Sequence, residues 1–216
     1  MAKGYMLVEG HGEVEAAGNL INRAWQATGH WLPWGKPIRW KNLHLRKGIE
    51  SGAKYVRSMP DAGALLVLRD EDDACPKQAA PEAASWLRAL ALPFPSALVL
   101  LHREYEVLFL PCVSQMAGRP IIDRSGQQRP GLKAGVRYEG NWEARRGVKE
   151  WLSRNFVGSR RYKPTIDQLP MTRMIDLEVL RGADVPCFAT LERSLAFLAA
   201  AVENATGGVY PPPAES

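Results

Sequence analysis

The chain is poor in cysteine and has no long apolar run. Its three cysteines among 216 residues, Cys75, Cys112 and Cys187, form no CxxC pair and cannot all pair internally. That excludes a disulfide framework, leaves no spacing for a structural zinc site, and makes a reducing, cytoplasmic setting the default expectation. No stretch approaches the roughly 18 apolar residues that a membrane-spanning helix needs. The opening run Tyr5-Met6-Leu7-Val8 meets Glu9 too soon for the apolar region of a signal peptide, which takes about 7–15 residues. His30, His44 and His102 are not at metal-ligand spacing with one another, and no internal repeat is present. Bulk disorder is excluded too: 46% hydrophobic and 24% charged residues are close to the globular average.

What is present is an uneven charge. The net +5 conceals residues 112–163, with 12 Lys/Arg against 4 Asp/Glu, and residues 36–57, with 7 against Glu50 alone. Much of the balancing acidity falls in two short stretches, Glu9-Gly10-His11-Gly12-Glu13-Val14-Glu15 and Asp70-Glu71-Asp72-Asp73. Clustered acids between basic flanks suit a bound cation with phosphate around it; solvated surface is the alternative for the flanks.

The apolar pattern orders these features. Residues 5–8 read as a strand ending at a Gly-containing turn, and 14–25 as a helix. Residues 31–40, with two prolines, read as a loop or irregular edge strand, and 45–58 as a basic helix. The runs 63–68 and 97–101 have the continuous apolar composition of buried parallel strands, with a helix over 81–90 between them. The alternation predicts an α/β fold with a central, mostly parallel sheet flanked by helices. Residues 1–111 form this core. Residues 112–140 are Gly/Pro/Arg-rich and read as an irregular basic insertion. Residues 141–206 carry helical patterns at 142–156, 165–180 and 188–203, and 207–216 read as a flexible tail.

Each of the three strand candidates ends in carboxylates. Parallel strands present their C-terminal ends on one edge, so Glu9, then Asp70 and Asp72, then Glu104 and Glu106 are expected to converge. Acids gathered in this way repel and raise each other's pKa unless a cation neutralises them, and a hard ion such as Mg²⁺ takes oxygen ligands. Alternation along the chain turns Asp70 and Asp72 to one side and Glu71 away. Glu13 sits one helical turn beyond Glu9, at a helix start where an acid also suits the dipole. Taken singly, each cluster could be a turn or a helix cap; their coincidence at three strand ends favours a metal site.

The segments Leu7-Val8-Glu9-Gly10-His11-Gly12-Glu13, Leu66-Val67-Leu68-Arg69-Asp70-Glu71-Asp72-Asp73 and Arg103-Glu104-Tyr105-Glu106-Val107-Leu108-Phe109, in this order, resemble the TOPRIM fold. More closely they resemble a TOPRIM-like family, domain of unknown function 4276, related to the TOPRIM nuclease domains of overcoming-lysogenisation-defect proteins. The stretch Tyr162-Lys163-Pro164-Thr165-Ile166-Asp167-Gln168 is similar to that family's helical end. The resemblance implies a TOPRIM/Rossmann-like core and Mg²⁺-dependent nuclease chemistry, with Mn²⁺ able to substitute. Glu9, Asp70 and Asp72 would be catalytic, and Glu9, Glu13, Asp70, Asp72 and Glu106 would surround the metal, with Glu104 a secondary candidate. It also implies an ATPase partner and a role in defence against foreign nucleic acid such as phage.

Phosphodiester chemistry needs a cation on the phosphate, and Arg69, Arg103 and Lys149 are candidates. Arg145, Arg146, Lys149, Arg160 and Arg161, near Trp142, Trp151 and Tyr162, mix positive charge with aromatic faces as nucleic-acid grooves do. For Trp142 and Trp151 a helix core is the commoner role. The sequence does not separate DNA from RNA. A non-catalytic metal- or partner-binding module on the same fold stays open as the alternative.

Overall fold

The computed structural model describes residues 1–158 and 160–214. The first half runs β1 (Lys3–Val8), α1 (Glu13–Gln26), β2 (Ile38–Arg39), α2 (Arg46–Arg57), β3 (Ala62–Glu71), α3 (Pro76–Arg88) and β4 (Ser96–His102). A 3-10 helix (Tyr105–Cys112) and a single turn, α4 (Val113–Met116), then lead into the small antiparallel hairpin of β5 (Ile121–Ile122) and β6 (Gln128–Arg129). The C-terminal part holds α5 (Val148–Asn155), a π-helical turn (Pro164–Gln168), α6 (Leu169–Met174), α7 (Leu177–Gly182), α8 (Pro186–Glu203) and β7 (Val209–Tyr210).

The central sheet has the order β2-β1-β3-β4-β7, and every neighbouring pair is parallel. The register pairs Val8 with Leu68, Leu68 with Val99 and Asp70 with Leu101, so the strands end together. Both faces are covered, which explains the unbroken apolar runs. Met6, Val8, Leu66, Leu68, Val99 and Leu101 point into one core with α1, α8 and the 3-10 helix. Leu7, Leu65, Val67, Leu98 and Leu100 point into the other, against Ile49, Ala53 and Val56 of α2 and Ala80, Ala83 and Leu87 of α3. Parity along β3 therefore aims Asp70, two residues past Leu68, at the α1 side, while Arg69 and Glu71 face the α3 side. Among the described residues no helix is long and apolar enough to cross a membrane.

The structure differs from the sequence expectation in four places. Helix α3 starts at Pro76, not at Pro81, because a proline suits the first helical position and Pro76 fills it. The helix expected over 142–156 contracts to α5, whose N-cap Gly147 is left-handed at φ 64°. The pattern over 165–180 is broken: Ile175 and Asp176 are extended, and the Asp176 carboxylate accepts the Glu178 and Val179 N–H groups to restart the chain as α7. The tail expected to be flexible adds an edge strand, Val209–Tyr210, beside β4, fastened by Arg88 Nη1 to the Pro211 carbonyl at 2.7 Å. The last two residues of that tail lie outside the described residues.

The loop that leads into α2 packs directly against the helix's first turn because Gly48 has no side chain. Gly48 is buried, and a methyl group there would run into the backbone carbonyl of Asn42, itself held left-handed at φ 61°. Gly48→Ala is therefore expected to destabilise the chain, although alanine ordinarily gains about 1 kcal/mol over glycine in a helix. A urea midpoint that rises or stays level in this variant would contradict the close packing.

Candidate functional site

The site is built from three strand ends and one returning helical segment. Gly12 caps α1 and delivers Glu13 as its first residue, 7% exposed. Gly12 has to lack a side chain, since a Cβ would collide with the Gln168 side-chain oxygen and come within 2.7 Å of the Pro164 carbonyl. This close approach lets the π-helical turn dock beside the acids, a placement common for such turns at functional sites. Glu106 is carried not by the end of β4 but by the 3-10 helix that follows, in a run where Tyr105 to Leu110 are all buried.

Hydrogen bonds hold the acids in place. Asp70 Oδ1 accepts the Tyr105 backbone N–H at 2.9 Å. Glu106 Oε1 accepts from Tyr162 Oη at 2.8 Å and from Gln168 Nε2 at 3.2 Å. Glu104 Oε1 accepts the Val148 N–H at 2.6 Å, which ties the start of α5 to the site. Lys149 Nζ then bridges Glu104 Oε2 at 2.9 Å and Glu106 Oε2 at 3.3 Å.

The electrostatics follow from crowding in a dry place. Desolvation, then the charges of Glu13, Glu106 and Glu104, push the Asp70 pKa well above the usual carboxylate range, with Lys149 opposing. Burial raises Glu106 to about 7, against the pull of Lys149 and the Tyr162 hydroxyl and with the Glu104 charge adding to it. Burial also raises Glu13, partly offset by the N–H groups of Gly10 and Glu9. For Lys149, burial works against its charge but the carboxylates of Glu106 and Glu104 outweigh it, so its pKa lies above the ordinary value.

The sequence-derived candidates thus divide. Glu13, Asp70, Glu104 and Glu106 come together around Lys149. Glu9 stands nearer the rim, close enough to act on Glu13, with Oε1 3.3 Å from His44 Nδ1. Asp72 is exposed on the turn after β3, and its carbonyl accepts from Arg103 Nη1 at 2.6 Å. Arg69 does not enter the site. It is buried on the opposite face of β3, paired with Glu71 at 2.7 Å, and Glu71 turns away from Asp70 as alternation required. Among the described residues, no three His, Cys, Asp or Glu side chains are arranged to hold an ion by themselves. Lys149 spans two of the acids instead.

Much of the basic flank is spent internally. Arg146 pairs with Asp73 at 2.7 Å, Arg160 pairs with buried Asp167 and lies 4.5 Å from the Phe156 ring centroid, and Arg124 reaches Glu15 of α1 at 2.7 Å. Arg145 is half-buried and Arg161 exposed. Trp142 and Trp151 pack against the core, with Tyr138 between them and Trp142 Nε1 donating to the Ala183 carbonyl at 2.9 Å. Sequence reasoning missed Gln168 altogether and placed Tyr162 in a nucleic-acid groove. Local periodicity could not reveal their role, which comes from one tertiary contact with Glu106.

The sequence model of the family described as domain of unknown function (DUF4276) matches residues 8–196. The chain belongs to the DUF4276 family. That DUF4276 span takes in the three acidic segments, α5 and the π-helical turn, so all the residues around Lys149 lie within the family's domain. No curated protein and no solved structure gives a significant match to this DUF4276 chain.

A folded-state pKa raised above its unfolded value means that the folded chain holds a proton the unfolded chain has released. Stability from that group is then lost as pH rises from about 4.3, the unfolded glutamate value, to about 7. In chelated buffer, Glu106→Gln should therefore gain on the wild type by roughly 1–3 kcal/mol between pH 5 and pH 8. Denaturant unfolding at both pH values reads this difference; a constant gap would show that Glu106 does not titrate with folding.

Proposed function

We propose that this DUF4276 protein is a Mg²⁺-dependent phosphodiester-cleaving enzyme of TOPRIM type. The observation that supports this most is the set of buried and half-buried acids at the C-terminal edge of a parallel sheet, with the Lys149 ammonium against two of them. Glu13 Oε2 is buried and accepts no hydrogen bond, and Glu106 Oε2 is buried against the Lys149 ammonium at 3.3 Å; both are oxygen donors of the kind a hard divalent ion takes. Glu13, Asp70 and Glu106 would hold the ion, with Glu104 as a further ligand beside Glu106 and with Glu9 and Asp72 at the rim beside the substrate. When bound, Mg²⁺ supplies an activated water and neutralises charge on the phosphate.

The chain's own residues have separable roles in this reading. The Tyr105 N–H fixes Asp70, while Tyr162 and Gln168 fix Glu106, so two carboxylates are oriented before substrate arrives. Glu9, partly exposed, is placed to orient a water at the mouth of the site. Arg103 and Arg145 border the turn after β3 and the start of α5, where a phosphate would lie against Asp72 and Lys149. The ATPase partner and the defence role implied by the TOPRIM resemblance stay within this proposal.

Metal-stripped protein is expected to melt at higher temperature on adding Mg²⁺ or Mn²⁺, and Asp70→Asn to lose the shift. Asp70→Asn keeps an oxygen for the Tyr105 N–H and removes one crowded charge, so its metal-free stability should match or exceed that of the wild type. Cleavage of single-stranded or duplex oligonucleotides should fall about 10²-fold or more in the same variant. Glu82→Gln, exposed on α3, is the matched control; Glu71→Gln is not, because Glu71 neutralises buried Arg69. Metal binding without cleavage of any oligonucleotide would favour the non-catalytic module.

A further inference from the structure

Among the described residues, Lys149 is the basic group that bridges two of the clustered acids. Its Nζ lies 2.9 Å from Glu104 Oε2 and 3.3 Å from Glu106 Oε2. The Glu106 side chain is fully buried, so Lys149 is the nearest source of positive charge that its Oε2 meets. The lysine itself is 37% exposed, so its arm has a path outward. Its backbone does not need to move, because the Val148 N–H to Glu104 bond of 2.6 Å pins the first turn of α5. A strongly hydrated point charge on a flexible stem holds these oxygens at present, and they are the donor type a divalent ion prefers.

We propose that Lys149 is the resident counter-ion of the metal-free site, and that a divalent ion and the Lys149 ammonium occupy the Glu104 and Glu106 oxygens in alternation. Entry of the metal expels the ammonium toward solvent, while α5 stays docked through Val148. The alternation accounts for two observations at once. Acids that would otherwise repel are held together without metal, and no three of them are yet drawn in around one point. It rests on the metal-centre reading above and adds to it a competitor built into the chain. The nearby Tyr162 and Gln168 donors act on Glu106 Oε1 and leave Oε2 to the exchanging cation.

The test is a Mn²⁺ titration by calorimetry on metal-stripped wild type, Lys149→Met and Lys149→Arg. Removing the competing charge should tighten binding about tenfold or more in Lys149→Met, while Lys149→Arg should bind no more tightly than wild type. Equal or weaker binding by Lys149→Met, with wild type binding normally, would overturn the alternation and leave the metal centre standing. Absence of binding in all three proteins would overturn both. Should Lys149→Met fail to fold, acetylation of Lys149 in the wild type, followed by mass spectrometry, decides the matter. The labelling rate should rise severalfold on adding Mn²⁺, and an unchanged or lower rate would overturn the proposal.

Discussion

Buried negative charge at the end of a parallel sheet is the constraint around which this molecule is arranged. Glu106 is fully enclosed and Glu13 nearly so, and Asp70 feels both. Such groups are costly to bury unless they are paired, hydrogen-bonded or neutralised. The chain uses each device. The Tyr105 N–H, the Tyr162 hydroxyl and the Gln168 amide supply hydrogen bonds, Lys149 supplies charge, and burial with crowding raises the pKa of Asp70 and Glu106. Beside the apolar core that the C-terminal part shares with the sheet, these contacts join residues 148–168 to the site. Without Glu104 and Glu106 to receive them, Val148, Lys149, Tyr162 and Gln168 would have no shared point of attachment.

The basic flank has a structural use that its charge count conceals. Arg124 reaches α1 through Glu15, Arg146 reaches the turn after β3 through Asp73, and Lys149 reaches the acids after β4. Three separate parts of the acidic core are thus stitched to the segment that follows it. The exposed Arg124–Glu15 and Arg146–Asp73 pairs contribute little to stability but help fix which way the segment lies across the sheet edge, whereas Lys149 meets a buried acid. The positive surface left for an anionic partner is correspondingly smaller than the twelve basic residues of 112–163 suggest.

The sheet and its two cores were legible in the sequence because a parallel strand covered on both faces must be apolar at every position. The runs at 63–68 and 97–101 alternate with helical patterns, which favours parallel strands, and in such a sheet the acids that follow them approach one edge. Position along the strand also told Asp70 from Glu71. Harder to read were elements whose sequence is apolar for a different reason. The run from Val107 to Leu110 is as hydrophobic as a strand yet forms a buried 3-10 helix, which carries Glu106 beneath the surface and away from the strand end. The tail that forms β7 has two strand residues between glycines and prolines, too few to register as a pattern before β4 offers them an edge.

The sequence by itself determined the α/β class, a parallel central sheet, and the acidic segments at its strand ends, from Glu9 through Asp70 and Asp72 to Glu104 and Glu106, since these follow from the apolar runs and from what ends them. Only the tertiary structure decided which acids are buried together and which stay at the rim, as Glu9 and Asp72 do. It also decided that Lys149, Tyr162 and Gln168 complete the site. These residues lie more than forty positions beyond Glu104 and Glu106, on segments whose local pattern does not say where they dock, and they meet the acids because the helical return packs back over the sheet edge. Contacts between distant segments depend on how the whole chain closes, and that information is not held in any local stretch of the sequence.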